Sequence, residues 1–146
     1  MDLNHGKYLG VDYGDKRTGL AECDVSGMLA SGIGTISEGG MRKTAVRVAE
    51  EARSRSCKKI IVGLPRNMDG SEGFRAETVR AFVAILSELV DIPIELYDER
   101  MSTMAAYRFL DGSGTFGKKR KGVIDTLSAE VILQNYIDRD RTVSGK

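Results

Sequence analysis

The sequence predicts an α/β fold, a mixed five-stranded sheet with helices on both faces. Three strand patterns joined by short turns occupy residues 7–36, which is typical of an antiparallel meander. Two later strand patterns alternate with helical patterns, and such strands are expected to be parallel. The length of 146 residues is that of one domain. We therefore expect a single domain over 1–146, with loose tails at 1–6 and 140–146.

The first three strands are predicted from alternation and turns. Along residues 7–13 (KYLGVDY), apolar residues alternate with glycine and aspartate, as expected of a strand with one buried face. A tight turn leads into a second strand over 17–24, and a glycine-containing turn leads into a third over 28–36. We expect the first strand to be central in the sheet, because parallel strands must also pair with it.

Helices and strands alternate after the glycine pair at 39–40. Apolar spacing predicts a helix over 41–55, a buried strand over 58–63, a helix over 74–90 and a strand over 94–98. The second helix has the clearest apolar face. A polar loop separates it from the strand before it.

The remainder of the chain predicts two helices around a loop. The first helix is expected over 103–111, followed by a mobile loop over 112–122 (GSGTFGKKRKG). The last helix, over 123–138, is apolar nearly all round and should therefore pack deeply against the first strand. Its polar edge consists of Thr126, Glu130 and Gln134.

Composition removes several classes of chemistry. With His5 as the one histidine, a Ser-His-Asp triad, a Cys-His dyad and a zinc site with several histidines all lack a component. Cys23 and Cys57 fit no metal or redox spacing, so we expect reduced packing residues. The net charge is +1, so only local basic clusters could attract a polyanion. The sequence has neither a signal-peptide pattern nor a membrane span, which favours a cytoplasmic protein without membrane contact.

Carboxylates occur at two strand positions where a ligand could bind. Asp12 lies between Gly10 and Gly14, which leave room beside it. It is either a metal or phosphate ligand, or a hydrogen-bonded structural residue near a turn. Asp98 and Glu99 end the fifth strand, at the edge where parallel sheets bind ligands. Alternation directs these two to opposite faces, so one of them is expected to line a site unless both belong to a solvated strand end.

Asp125 is a third candidate, at the start of the last helix. It is either a site residue or an acid that is favourable near a helix N-terminus. If this helix lies against the first strand, two or three carboxylates converge. A cation would relieve their repulsion, and oxygen ligands favour Mg²⁺ or Mn²⁺. Two such ions activate water for phosphodiester hydrolysis and need no histidine.

Basic and amide side chains near these acids are candidates for contact with a nucleic-acid backbone. They are Lys16, Arg17, Arg66, Asn67, Arg100, Lys118, Lys119, Arg120 and Lys121. Such contacts bind phosphates without reading base identity, and an aromatic content of 6% suggests no base-stacking platform. Each of these residues also has a purely structural alternative. The basic run could be a solvated loop, the other basic side chains could pair with neighbouring acids, and Asn67 could cap a turn.

Four motifs carry a resemblance to a known family. They are LGVDYGDKRTGLA at 9–21, VGLPRNMDGSEG at 62–73, YDERMST at 97–103 and DTLSAEVILQNYID at 125–138. In this order and spacing they resemble the YqgF/RuvX family of the RNase H-like superfamily, and they cover nearly the whole chain. Members are associated with 5′-end maturation of precursor 16S ribosomal RNA or with Holliday junction cleavage.

The resemblance implies an RNase H-like fold and a metal-dependent nuclease. Asp12, Glu99 and Asp125 would hold Mg²⁺ or Mn²⁺, with Asp98 in reserve for the middle position. The favoured function is maturation of precursor 16S ribosomal RNA, because no helix is evident that would form the dimer a junction resolvase needs. The alternatives are a Holliday junction resolvase and a non-catalytic nucleic-acid-binding factor. The implied partner is structured RNA, with branched DNA as the alternative, bound by a monomer or homodimer.

Overall fold

The computed structural model describes residues 6–14, 16–37, 39–101 and 118–143, with side chains in the last segment described at 126–139. The predicted helix over 103–111 lies outside these residues, as does His5.

Within the described residues, five strands form one mixed sheet, as predicted. They are β1 (Lys7–Asp12), β2 (Thr18–Cys23), β3 (Ala30–Ile36), β4 (Cys57–Leu64) and β5 (Ile94–Asp98). Their order is β3-β2-β1-β4-β5, with antiparallel pairs among the first three strands of the chain and parallel pairs for β1 with β4 and β4 with β5. The central position of β1 is therefore confirmed.

Helices cover both faces of the sheet. In the described part of the chain they are α1 (Met41–Ser54), α2 (Phe74–Ser87) and α3 (Lys118–Val143), and a 3-10 turn (Glu99–Met101) follows β5. The core that includes Val11 and Phe82 lies between the sheet and the pair α1 and α2. The core that includes Ile61 and Leu133 lies between the sheet and α3. The predicted ends of α1, α2 and the strands agree with the structure to within three residues.

The last helix differs from its prediction at both ends. It begins at Lys118 rather than 123, so Lys118–Lys121 form its first residues and not a mobile loop. Lysine and arginine are good helix formers, so this run begins the helix despite its charge. The helix also continues to Val143, so residues 140–143 are helical and not part of a loose tail. At the other terminus, Gly6 is buried and its N–H donates to the Val25 carbonyl.

The polar edge of α3 binds the backbone of the edge strand. Glu130 Oε1 accepts a hydrogen bond from the Gly32 N–H at 2.8 Å. Gln134 Oε1 accepts one from the Ala30 N–H at 2.8 Å, and its Nε2 donates to the Met28 carbonyl at 3.0 Å. An edge strand presents unpaired backbone groups to other chains. The helix therefore satisfies part of β3 that no neighbouring strand can reach.

We expect Glu130→Ala to lower the free energy of unfolding by about 1–2 kcal/mol. The substitution removes a charged acceptor and leaves the Gly32 N–H beside the helix without its partner. Urea denaturation measures the change. Glu50→Ala is the matched control, because the Glu50 side chain is 56% exposed on α1 and its loss should change stability by less than about 0.5 kcal/mol. Equal effects of the two substitutions would contradict this role for Glu130.

Candidate functional site

Two buried carboxylates lie where three parallel strands end. Asp12 is the last residue of β1, and Glu99 directly follows β5. Because β1, β4 and β5 run parallel, their carboxyl ends share one edge of the sheet, which we call the carboxyl edge. The residues are only 8% and 5% exposed, respectively. Burial of two acids at one edge is costly unless a cation or donors compensate.

Both carboxylates lie on the face of the sheet that α3 covers. A Cβ added to Gly10 would lie 2.8 Å from Leu133 Cβ, so this face of β1 meets α3. Asp12 is two residues further along β1 and shares that face. A Cβ added to Gly63 on β4 would lie 2.8 Å from Glu99 Oε2 and 2.5 Å from Ile132 Cδ1 of α3. Glu99 therefore also belongs to the α3 side.

Gly63 provides the space between these two positions. In the parallel register Val62 pairs with Val11, so Gly63 lies beside the end of β1, and it pairs with Tyr97 of β5. Any side chain at 63 would occupy the volume taken by the Glu99 carboxylate. This role of Gly63 was not among the predictions from the sequence. The signal was present, because glycine within a strand often marks a close approach.

Asp98 is engaged by arginines. Its carboxylate accepts hydrogen bonds from Arg100, with Nη2 to Oδ2 at 2.7 Å and the backbone N–H to Oδ1 at 2.9 Å. Arg66 Nη1 lies 3.5 Å from Asp98 Oδ2. The hydrogen bond from the Arg100 side chain is the main cause that lowers the pKa of Asp98. Of the two acids that the sequence left open, Asp98 therefore forms ion pairs, whereas Glu99 approaches Gly63 and α3.

The polar loop after β4 is held by its own contacts and by α2. Glu72 accepts from Arg80 at 2.7 and 2.8 Å and pairs with Arg66 Nη2 at 3.2 Å. Asn67 donates from Nδ2 to the Ser71 hydroxyl at 2.9 Å. The alternative of turn capping by Asn67 is thus the geometry observed. Arg66 is brought to the carboxyl edge with its guanidinium in ion pairs.

The other predicted nucleic-acid contacts are basic residues that follow β1 or begin α3. Lys16 is exposed and Arg17 half-buried in the turn between β1 and β2, directly after Asp12. The basic run Lys118–Lys121 begins α3, and its side chains lie outside the described residues. Lys16 and Arg17 thus follow the end of β1, and Arg66 and Arg100 lie at the end of β5. Within the described part of the chain, the structure shows no contact between these two pairs of residues.

Asp125 belongs to α3, and its side chain lies outside the described residues. Thr126 and Glu130 meet Gly32, whereas Gln134 meets Ala30. The N-terminal part of α3 therefore points toward the carboxyl edge, since β3 runs in the same direction as β1. Helical spacing puts position 125 one turn before Ala129, whose carbonyl faces Gly10. Among the residues whose side chains the structure describes, which do not include Asp125, no three His, Cys, Asp or Glu residues form a metal-binding group.

The cysteines lie away from this edge. Cys23 ends β2 and Cys57 begins β4, and both are free and buried. Burial raises the pKa of both thiols, that of Cys57 to about 11. They remain protonated near neutral pH and are packing residues, as expected. None of the described helices is both long and apolar enough to span a bilayer.

Comparison with known proteins assigns the family. Residues 6–139 match the model of the RuvX family, described as Holliday junction resolvase. A Halothermothrix orenii protein named "Putative pre-16S rRNA nuclease" is 42% identical over 143 residues, covering 95% of this chain and 99% of the relative. A protein of the same name from Caldanaerobacter subterraneus is 42% identical over 136 residues, covering 92% and 98%.

The fold prediction is confirmed by a solved structure. The structure of T. thermophilus RuvC in complex with Holliday junction substrate has a TM-score of 0.62 and 16% identity, covering 97% of this chain and 99% of that chain. At this identity the likeness shows a shared RNase H-like fold. The family model and the relatives of 42% identity establish that the chain belongs to the RuvX family, as its four motifs indicated.

Proposed function

We propose that this protein is a divalent-metal-dependent nuclease that hydrolyses phosphodiester bonds during 5′-end maturation of precursor 16S ribosomal RNA. The observation that carries the proposal is the pair of buried carboxylates, Asp12 and Glu99, on one face of the carboxyl edge with Gly63 between their strands. The names of the relatives support the RNA substrate. The protein would act in the cytoplasm, where bacterial ribosomes are assembled.

The residues present fit a divalent cation. Two buried carboxylates on one face repel each other, and a bound cation offsets that repulsion. A donor set made of carboxylate oxygens suits Mg²⁺ or Mn²⁺. Asp12 and Glu99 would hold the metal, and Asp125 would supply a third carboxylate from α3. Bound there, such ions supply an activated water and stabilise the leaving oxygen of a phosphodiester.

The surrounding residues would bind and orient the nucleic acid. Two groups of basic residues are close to the acids in sequence. Lys16 and Arg17 follow Asp12, and Lys118–Lys121 precede Asp125. Arg66 and Arg100 lie at the end of β5, where both pair with Asp98. Together these cations would fix the phosphates of one strand at the carboxyl edge.

Holliday junction cleavage is the second candidate. It is favoured by the description of the matching family model. The two functions require the same carboxylates and differ in the substrate that the basic residues hold. The deciding experiment incubates the protein with Mg²⁺ or Mn²⁺ and either a 5′-extended precursor 16S RNA or a synthetic four-way DNA junction. RNA cleavage supports the proposal, junction cleavage alone would replace it with the resolvase, and cleavage of neither would contradict both.

Glu99→Gln and Asp98→Asn form a matched pair of neighbouring carboxylates. We expect Glu99→Gln to reduce metal-dependent cleavage by more than about 100-fold, because loss of a metal ligand should exceed the 10- to 100-fold cost of losing a residue that supports one. Asp98→Asn should keep activity within about tenfold of wild type, because its carboxylate is engaged by arginines. Single-turnover cleavage measures both. The reverse ranking would return Asp98 to the metal site.

A further inference from the structure

A small cavity opens beside the residues that follow Asp12. Its volume is about 120 Å³, and its lining includes Tyr13, Gly14, Phe74, Arg75 and Thr78. Pockets for drug-sized ligands measure about 300–1,000 Å³, so this cavity has room for one ring rather than for a whole ligand. It lies on the α2 side of β1, next to the carboxyl edge.

One wall of the cavity is rigid and the other is an exposed aromatic ring. Tyr13 is buried and stacks on Phe82, with ring centroids 4.3 Å apart and 19° between the ring planes. Phe74, at the first turn of α2, is 74% exposed. Exposure of a phenylalanine to this degree costs hydrophobic free energy. A ring left in water beside a candidate active site is therefore available for a partner.

The loop that precedes Phe74 is internally braced. Ser71 donates to Asp69 Oδ1 through its N–H at 2.8 Å and through its hydroxyl at 2.6 Å. Arg80 of α2 holds Glu72 through two hydrogen bonds. The ring is thus presented from a fixed turn at the start of a helix, with the cationic Arg75 next to it.

We propose that this cavity binds one unpaired nucleobase of the substrate strand, stacked on Phe74, while Arg75 contacts the adjoining phosphate. An aromatic face next to a cation is the arrangement that proteins use for single-stranded nucleic acid. The inference rests on the proposed function and deepens it. The strand that enters the site has a single-stranded segment next to the scissile phosphate, because a paired base cannot leave its stack without added cost.

The test measures binding of a short single-stranded RNA that carries 2-aminopurine, with Ca²⁺ in place of Mg²⁺ to suppress cleavage. We expect Phe74→Ala to raise Kd about 5- to 150-fold. This range corresponds to the binding free energy of one base stacked on an aromatic side chain, about 1–3 kcal/mol. Phe74→Trp should retain affinity and quench 2-aminopurine fluorescence. Phe74→Leu should do neither, because its side chain has no aromatic face. Arg75→Ala should instead flatten the dependence of Kd on salt, because it removes a phosphate contact.

Two controls separate stacking from general apolar contact. Met68→Ala removes an 83% exposed side chain from the same loop, and Leu29→Ala removes a 64% exposed one at the opposite edge of the sheet. Both should leave Kd within about twofold of wild type. Equal Kd for wild type and Phe74→Ala would overturn the base site and leave the nuclease intact. Failure of wild type to bind the RNA under any salt condition would overturn the base site, and the cleavage assay then judges the proposed function separately.

Discussion

Asp12→Asn should reduce metal-dependent cleavage by more than about 100-fold while the protein stays folded. The amide keeps the shape of the carboxylate but removes the negative charge that would hold a cation at the end of β1. Loss of groups that only support metal ligands costs about 10- to 100-fold, so loss of a ligand itself should cost more. Single-turnover cleavage of the preferred substrate measures the effect.

The thermal melt provides the control for Asp12→Asn. The midpoint should stay within about 4 °C of wild type, a shift that corresponds to about 1 kcal/mol in a chain of this size. Mg²⁺ or Mn²⁺ should raise the midpoint of wild type, because a ligand that binds only the folded state stabilises it. The same ions should raise that of the variant much less. Retained cleavage with an intact fold would remove Asp12 from the site.

Gly63→Ala should damage both stability and activity. The added Cβ would lie 2.5 Å from Ile132 Cδ1 and 2.8 Å from Glu99 Oε2, so α3 or the Glu99 carboxylate must move. Overpacking of this kind costs about 1–3 kcal/mol of unfolding free energy. A displacement of about 1 Å at a reacting group can reduce the rate about 100-fold. Urea denaturation and single-turnover cleavage measure the two losses independently.

Two other glycines separate the causes. Gly39→Ala introduces a Cβ with nothing within 4 Å and should change neither property. Gly10→Ala presses on α3, with its Cβ 2.8 Å from Leu133 Cβ, and the atoms nearest to that Cβ belong to Leu133 and Ala129 rather than to Glu99. It should therefore lower stability to a similar degree and reduce cleavage much less than Gly63→Ala. Equal losses of activity in Gly10→Ala and Gly63→Ala would mean that α3 displacement alone explains the effect.

The antiparallel and parallel pairing, the central place of β1 and the layer structure followed from patterns that are local in the chain. Alternation marked the strands, and their short connections or intervening helices set antiparallel or parallel pairing. The spacing of Thr126, Glu130 and Gln134 marked a polar edge on an otherwise apolar helix. That edge is the side of α3 that meets the backbone of β3. Local pattern succeeded here because burial on a sheet or helix imposes a fixed period.

The last helix shows where local pattern failed. The run from Lys118 to Lys121 has the charge of a solvated loop and the propensity of a helix, and the structure makes it the start of α3. Propensity and charge are both weak, and docking of the apolar remainder on the sheet decides between them. The expected tail at 140–143 became helical in the same way.

Alternation and element order predicted the sheet, its central strand and a short set of carboxylates that could form a site. The strand pattern did not choose between Asp98 and Glu99, because alternation says that they face opposite ways but not which face α3 covers, and the family resemblance favoured Glu99 with Asp98 in reserve. Packing of the elements brings Glu99 against Gly63 and α3, while Asp98 pairs with Arg66 and Arg100. Likewise, the sequence predicts only that Phe74 begins a helix with an apolar face, whereas in the packed structure its side chain is exposed. A sequence pattern describes one helix or strand. Which of its faces is covered, and which side chains pair, depends on how two elements pack together, so these features could not be predicted from the pattern.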